Sequence, residues 1–185
     1  EMLDTWSVVD KPVWDTYDPE VDYRPLDTKP HEAHPNHLYF VDDELWVTRC
    51  QLQDTVKVQD IHCRTNIAVG RPHDGNPVGD LVWFTTINGN LMGMNVKTGI
   101  ADRPIDLNTI DTNRGQLGWC RGVRHIDDDT ALVAFSQFRP SKHKDFIHWI
   151  MGDGKNRLPS RISLFDLKNR RMVEEMPFKG KLEGA

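Results

Sequence analysis

Leu81-Val82-Trp83-Phe84-Thr85-Thr86-Ile87-Asn88-Gly89-Asn90-Leu91-Met92-Gly93-Met94-Asn95-Val96 is the stretch that decides the fold. A run of apolar, aromatic and β-branched residues meets Asn88-Gly89-Asn90, and a second apolar run returns from it. Asn-Gly readily supplies the positive φ angles of a tight hairpin. Lys97-Thr98-Gly99 then closes the second run as a turn. Short apolar runs bounded by turn residues are strands, so the unit is a β-hairpin.

The same unit recurs on either side. Leu38-Tyr39-Phe40-Val41, the turn Asp42-Asp43 and Leu45-Trp46-Val47-Thr48 precede it. Gly122-Val123-Arg124-His125-Ile126, the turn Asp127-Asp128-Asp129 and Ala131-Leu132-Val133-Ala134-Phe135 follow it. A last pair runs from Arg161 to Leu167 and from Met172 to Phe178 around Lys168-Asn169-Arg170. Trp46, Trp83 and Val133 mark equivalent runs, 37 and 50 residues apart. Propeller blades of four strands repeat at roughly 40–50 residues. The pattern predicts an all-β chain, a β-propeller of about three blades of antiparallel sheet, with a polar loop at 107–118 lengthening the second gap. Long helical periodicity is absent, which argues against an α/β sandwich or a helical bundle.

The blades are expected over residues 34–185, with an insertion at about 139–160, from Arg139-Pro140 to Pro159-Ser160. In it Phe146, Ile147, Trp149 and Ile150 suit one face of a short helix ended by Gly152 and Gly154. Insertions between blade strands sit on the surface and often shape a binding face. Residues 1–33 read differently. Pro12, Pro19, Pro25 and Pro30 block regular structure, while Trp6, Trp14, Tyr17 and Tyr23 need a surface to pack on. An extended arm lying on its own domain or on a partner is expected.

Three blades do not close a propeller, which usually has four to eight, and open sheet edges tend to pair. The missing blades are expected from a longer parent chain, from a second chain or from a second copy, making the protein a homo-oligomer or part of a larger assembly. The chain opens Glu1-Met2-Leu3-Asp4, so it is expected to be processed or a piece of something longer.

Composition excludes some partners. The formal net charge is -5, with charges of both signs interspersed and no basic stripe. Nucleic acids and anionic membrane surfaces select cationic faces, so neither is expected. No apolar run is long enough for a membrane helix. Three cysteines, Cys50, Cys63 and Cys120, form no C-x-x-C pair and leave an odd thiol. Buried thiols in a reducing, cytoplasmic compartment fit that count.

The candidate site residues cluster at the blade starts: His34-Pro35-Asn36-His37, His73-Asp74-Gly75-Asn76-Pro77 and Trp119-Cys120-Arg121-Gly122-Val123-Arg124-His125. If these segments lead into innermost strands, His34, Asn36, His73, Asp74, Asn76, Arg121 and His125 gather at one mouth of the central channel. Convergent polar groups from successive repeats are how propellers build ligand sites. His34, Asn36, His73 and Asp74 are donors suited to a divalent metal, calcium or zinc. Arg121 suits a carboxylate or phosphate, and His34 or His73 a general base. His, Asn and Asp are also ordinary turn residues that satisfy nearby backbone, so turn chemistry alone remains open for each.

Other candidates are weaker. His143 and His148 are five apart and do not share a helix face. His62-Cys63 are adjacent, so on a strand they point to opposite faces. Asp127-Asp128-Asp129 lacks the glycine and distal glutamate of a calcium loop. No G-x-S-x-G, P-loop, G-x-G-x-x-G or H-E-x-x-H occurs.

Gly118-Trp119-Cys120-Arg121-Gly122-Val123, followed by Ala131 to Phe135 and Ser136-Gln137-Phe138-Arg139, resembles an uncharacterised family of bacterial propeller-like proteins. That family carries a Cys-Arg-Gly-hydrophobic signature and a strand ending in Ser-x-x-Arg. His34-Pro35-Asn36 followed by Leu45-Trp46-Val47-Thr48 extends the resemblance over residues 34–178. It implies the propeller fold and no particular activity. A looser likeness is to gluconolactonase and lactonase propellers, which set Asn and Asp around a central metal. Asn36, Asp74 and Asn76 match in type, but the acidic ligand near the first blade has no counterpart. A binding or assembly module with a polar ligand site at the channel mouth is expected. The alternative is a metal-dependent hydrolase or lyase acting on a small or sugar-like substrate.

Overall fold

The computed structural model describes residues 6–11, 15, 17–26, 32–110, 117–137 and 158–178. Trp14, His143, His148 and the Phe146–Ile150 segment expected to be helical lie outside these residues.

The described chain is three blades of a β-propeller, each a four-stranded antiparallel meander. The first blade is β1 Pro35–Val41, β2 Glu44–Arg49, β3 Asp54–Lys57 and β4 Asp60–Asn66. The second is β5 Asn76–Val78, β6 Leu81–Thr85, β7 Asn90–Met94 and β8 Ile105–Asp106. The third is β9 Trp119–His125, β10 Thr130–Ser136, β11 Arg161–Asp166 and β12 Arg171–Pro177. Each sheet follows chain order, so the first strand of every blade is an edge. Those first strands meet: β5 lies against β1 on one side and β9 on the other. They are therefore the innermost strands. Trp46, Trp83 and Val133 all fall on second strands, as the repeat spacing requires.

Turn chemistry fixes the register. Val41 pairs with Glu44, leaving a two-residue loop in which Asp42 and Asp43 have φ of 48° and 62°. Positive φ at both central residues defines the type I′ turn, whose twist matches that of the flanking strands. Asp tolerates this region but still carries a Cβ there, and glycine does not. Replacing Asp43 with glycine is expected to stabilise the fold by about 0.5–1 kcal/mol, read as a higher thermal midpoint. A lower midpoint would mean that the Asp43 side chain gives the turn more than its backbone costs. Asp42 is better kept, because its Oδ2 lies 2.5 Å from Lys97 Nζ in the second blade.

The Asn88-Gly89 turn is built differently from its sequence expectation. Only Gly89 has positive φ, at 81°. Gly89 N–H donates to Thr86 O at 2.9 Å, so Ile87 and Asn88 form the turn and Gly89 the bulge that follows it. Asn88 instead caps the loop, accepting from the Thr86 hydroxyl and donating to Val69 O at 3.2 Å.

Two cores lie between the blades. Tyr39, Trp46, Ile67, Val82, Phe84, Met92, Met94 and Val96 pack the first blade on the second. Leu91, Leu107, Leu117, Cys120, Ala131, Val133, Phe135, Phe165 and Leu167 pack the second on the third. Burying side chains of this size contributes roughly 1.5–3 kcal/mol each. The 107–118 connection is less polar in role than its composition suggests, because Leu107 and Leu117 anchor its two ends in the core. Cys50 and Cys120 are buried, but Cys63 is exposed on β4, an outer edge strand, contrary to the expectation of three buried thiols.

The face of the first blade turned away from the second carries Val47, Val56 and Val58. The arm reaches this face: Val8 packs against it, and Val8 O accepts a hydrogen bond from Arg49 Nη1 at 2.7 Å. On β1 of the same blade Leu38 and Phe40 remain 60% and 63% exposed. Among the described residues no helix is long and apolar enough to cross a membrane.

Candidate functional site

Because β1, β5 and β9 are neighbours, residues at the blade starts come together in tiers. In the first tier three blades each supply one side chain. Asn36 Nδ2 donates to Pro72 O at 3.1 Å and lies 3.1 Å from His73 Nδ1. Arg121 Nη1 lies 2.5 Å from His73 Nε2 on the other side of the ring. Asn36 and His73 are half-buried and Arg121 is exposed at the rim. His34, with φ of 50°, stands just before Asn36, and its carbonyl accepts from Cys50 N–H at 3.1 Å.

Arg121 is held from several directions. Its Nε donates to Ser136 Oγ at 3.3 Å, and its guanidinium carbon stands 4.9 Å from the centre of the Trp119 ring. A guanidinium over an indole face gains cation–π attraction and still presents its N–H edge. Burial, followed by the neighbouring Arg121 and His34, pushes His73 down to about 4. At neutral pH its imidazole is therefore uncharged and carries a single N–H.

Asp74 forms the second tier, inward of the rim. It is buried, its Oδ2 accepts from Thr85 Oγ1 at 3.2 Å, and Val123 N–H bonds to its carboxyl group across the blade boundary. Burial outweighs these bonds and raises its pKa to about 7. Burial likewise holds the adjacent Cys120 thiol far above the ordinary thiol range. The Asp74 carbonyl also accepts from Thr48 Oγ1 at 2.5 Å. Gly75 follows because a Cβ there would meet the Tyr39 ring at 2.1 Å. The His-Asp-Gly-Asn segment is thus clamped between the first and third blades.

Asn76 and His125 make the third tier. Asn76 Oδ1 accepts from His125 N–H at 3.4 Å, and the His125 ring lies 4.5 Å from that of Trp83. Burial lowers the His125 pKa. The structure therefore brings Asn36, His73 and Arg121 into one cluster, places Asp74 behind it, and sets Asn76 with His125 further along the inner strands.

Among the described residues no three His, Cys, Asp or Glu side chains are placed to hold a metal ion. Of the His34, Asn36, His73 and Asp74 set suited to calcium or zinc, His73 has its two ring nitrogens faced by Asn36 Nδ2 and Arg121 Nη1. Ser136, Trp119 and Thr85 are site-building residues that sequence reasoning passed over. Ser136 heads the Ser-x-x-Arg ending and Trp119 precedes the Cys-Arg-Gly signature, so both stood beside residues already singled out. The chain also leaves β10 at Gln137 and returns by Ser160 at this end of the blade, where Gln137 N–H donates to Ser160 Oγ at 3.1 Å. Gln137 directly follows Ser136, the residue that holds Arg121.

No family model matches the chain, and no curated protein matches it. Among solved structures it is similar to the computationally designed Ika4 protein, at 7% identity and a TM-score of 0.47, over 80% of this chain and 75% of that one. It is similar also to the computationally designed Ika8 protein, at 7% identity and a TM-score of 0.45, over 79% of this chain and 37% of that one. BamB from Moraxella catarrhalis is matched at 12% identity and a TM-score of 0.39, over 77% of this chain and 37% of that one.

Proposed function

We propose that this chain is a binding module whose ligand sits where the three inner strands begin, and that further blades from a second copy or another chain complete the assembly. The observation that carries the ligand site is the cluster of Asn36, His73 and Arg121, one side chain from each blade. Residues from three repeats meet only if the blades are packed in order, so the cluster is a product of the whole fold. The Arg121 side chain reaches solvent while its position is set by Ser136 and Trp119, an arrangement suited to a ligand arriving from outside. The assembly part rests on Leu38 and Phe40, large apolar side chains exposed on the innermost strand of the first blade.

The test combines two readings of one sample. Backbone amide spectra are recorded against neutral sugars, carboxylates, inorganic phosphate, and calcium and zinc salts, and the solution mass is measured alongside. One compound class is expected to move the amides of residues 34–37, 71–76 and 119–125 together, in a species heavier than a single chain. A monomer in which no class moves those amides would overturn the proposal.

A further inference from the structure

The third blade has one face covered by the second blade and another built to be covered. Along β10 and β11 burial alternates residue by residue. Ala131, Val133, Phe135 and Phe165 point at the second blade and are at most 2% exposed. The residues between them, Leu132, Ala134, Ile162 and Leu164, share the opposite face and are only half-buried. Met176, paired with Ile162, is 62% exposed on that same face. A solvated face of an antiparallel sheet normally alternates to polar residues, and this one does not. Polar residues border it instead, with Thr130 and Asp166 at one end and Ser136 at the other. An apolar patch with a polar rim marks a surface that another molecule covers.

A head-to-tail contact would lay this face on the outward face of another copy's first blade. That face is already closed: Val47, Val56 and Val58 are 2%, 0% and 6% exposed, and Val8 of the arm packs against them. The third blade's face instead complements itself. One row across the sheet reads Arg124, Leu132, Leu164, Glu174, and the next reads Gly122, Ala134, Ile162, Met176. The first row carries a cation at one edge and an anion at the other, both exposed. A two-fold axis parallel to the strands reverses each row in the second copy and keeps the two sheets aligned. Arg124 then faces Glu174 of the second copy, Leu132 faces Leu164, and Gly122 leaves room for Met176. An axis along the row would set Arg124 on Arg124 and Glu174 on Glu174. We infer that the outward face of the third blade is a homodimer interface, in which a second copy docks by the same face and Arg124 of each copy meets Glu174 of the other. A contact of this self-complementary kind closes after two copies. It lies apart from Leu38 and Phe40, so the inference goes beyond the proposal above and either can fail alone.

The experiment is analytical sedimentation of the full chain over a concentration series. The parent is expected to form a dimer, and Leu164→Arg, which sets a charge in the middle of the patch, should abolish it. Glu174→Arg and Arg124→Glu change exposed residues, so each variant should keep the parent's circular dichroism spectrum. Each alone should weaken the dimer on the order of ten-fold or more, because it sets like charges against one another twice across the axis. Arg124→Glu combined with Glu174→Arg should restore it, and Phe40→Ser should leave it unchanged. A parent that stays a single chain at every concentration overturns the inference, and so does a dimer that the single reversals leave intact or the combined one does not restore. If Phe40→Ser alone dissolves the oligomer, the inference falls and the assembly half of the proposal above stands on Leu38 and Phe40.

Discussion

Asp54→Ala should lower folding stability by about 3–5 kcal/mol, the range for removing one member of a buried ion pair. Arg49 and Asp54 sit side by side on β2 and β3 with side chains 4% and 5% exposed. Arg49 Nε lies 2.8 Å from Asp54 Oδ1 and Nη2 lies 2.5 Å from Oδ2, a two-pronged contact. Removing the carboxylate leaves a guanidinium away from water with, among the described residues, the Val8 carbonyl as its remaining hydrogen-bond acceptor. Arg64 approaches Asp54 Oδ2 at 3.9 Å, but it is 66% exposed and its share of the attraction is small. The measurement is the urea midpoint, with the slope checked for constancy. A paired change of Arg49→Met and Asp54→Leu should recover most of the loss, because neither charge then remains buried. If Asp54→Ala shifts the midpoint by less than about 1 kcal/mol, water reaches the pair and the packing described for this face is wrong.

Asp74 supplies the second large effect, and its sign is opposite to the common one for a carboxylate. Its folded pKa is raised to about 7 from 3.8, so the native state holds this proton more tightly than the unfolded chain does. Stability contributed by the protonated group is complete below the unfolded value and is lost as pH rises toward the folded one. Each unit corresponds to about 1.4 kcal/mol, so the loss between roughly pH 4 and pH 7 amounts to a few kcal/mol. Asp74→Asn keeps the shape and cannot ionise. It should match the parent near pH 4 and exceed it by roughly 2–4 kcal/mol at pH 8. The difference between the two proteins as a function of pH is the useful quantity, because other titrating groups cancel in it. A flat difference would falsify the burial of an ionisable group at this position.

Much of the fold was legible because hairpins with one buried face announce themselves. Leu45–Thr48, Leu81–Thr86 and Ala131–Phe135 are second strands flanked by others, so their apolar runs are continuous or alternate cleanly. The outer strands were harder. β4, Asp60–Asn66, faces solvent at most of its positions, and its polar sequence carries no period that separates it from a loop. β5 and β8 have three and two residues, too short to show any period. They are placed by their neighbours rather than by their own composition.

The candidate site divides in the same way. Asn36, His73 and Arg121 could be singled out because each stands at a repeat start, and repeats put such residues on one rim. The tiers could not be foreseen. Whether Asp74 meets Val123 or Arg121 depends on the stagger between β5 and β9, which no local pattern encodes. Gly75 was visible as a residue but its reason, the Tyr39 ring against its backbone, comes from another blade.

The ordering of strands within each blade has a consequence for how this molecule can change. The first residues of β1, β5 and β9 all lie at one end. The hairpin loops that follow these strands surface at the opposite end, where ion pairs Asp42–Lys97 and Asp129–Lys168 tie loops together. The first end carries the buried Arg49–Asp54 pair and Asp74 as well as the Asn36, His73 and Arg121 cluster, whereas the ion pairs of the second end are exposed and contribute little each. A change among the first-end residues therefore reaches stability and the candidate site together, whereas the Asp42-Asp43 turn, at the far end of β1, can be altered without touching that cluster.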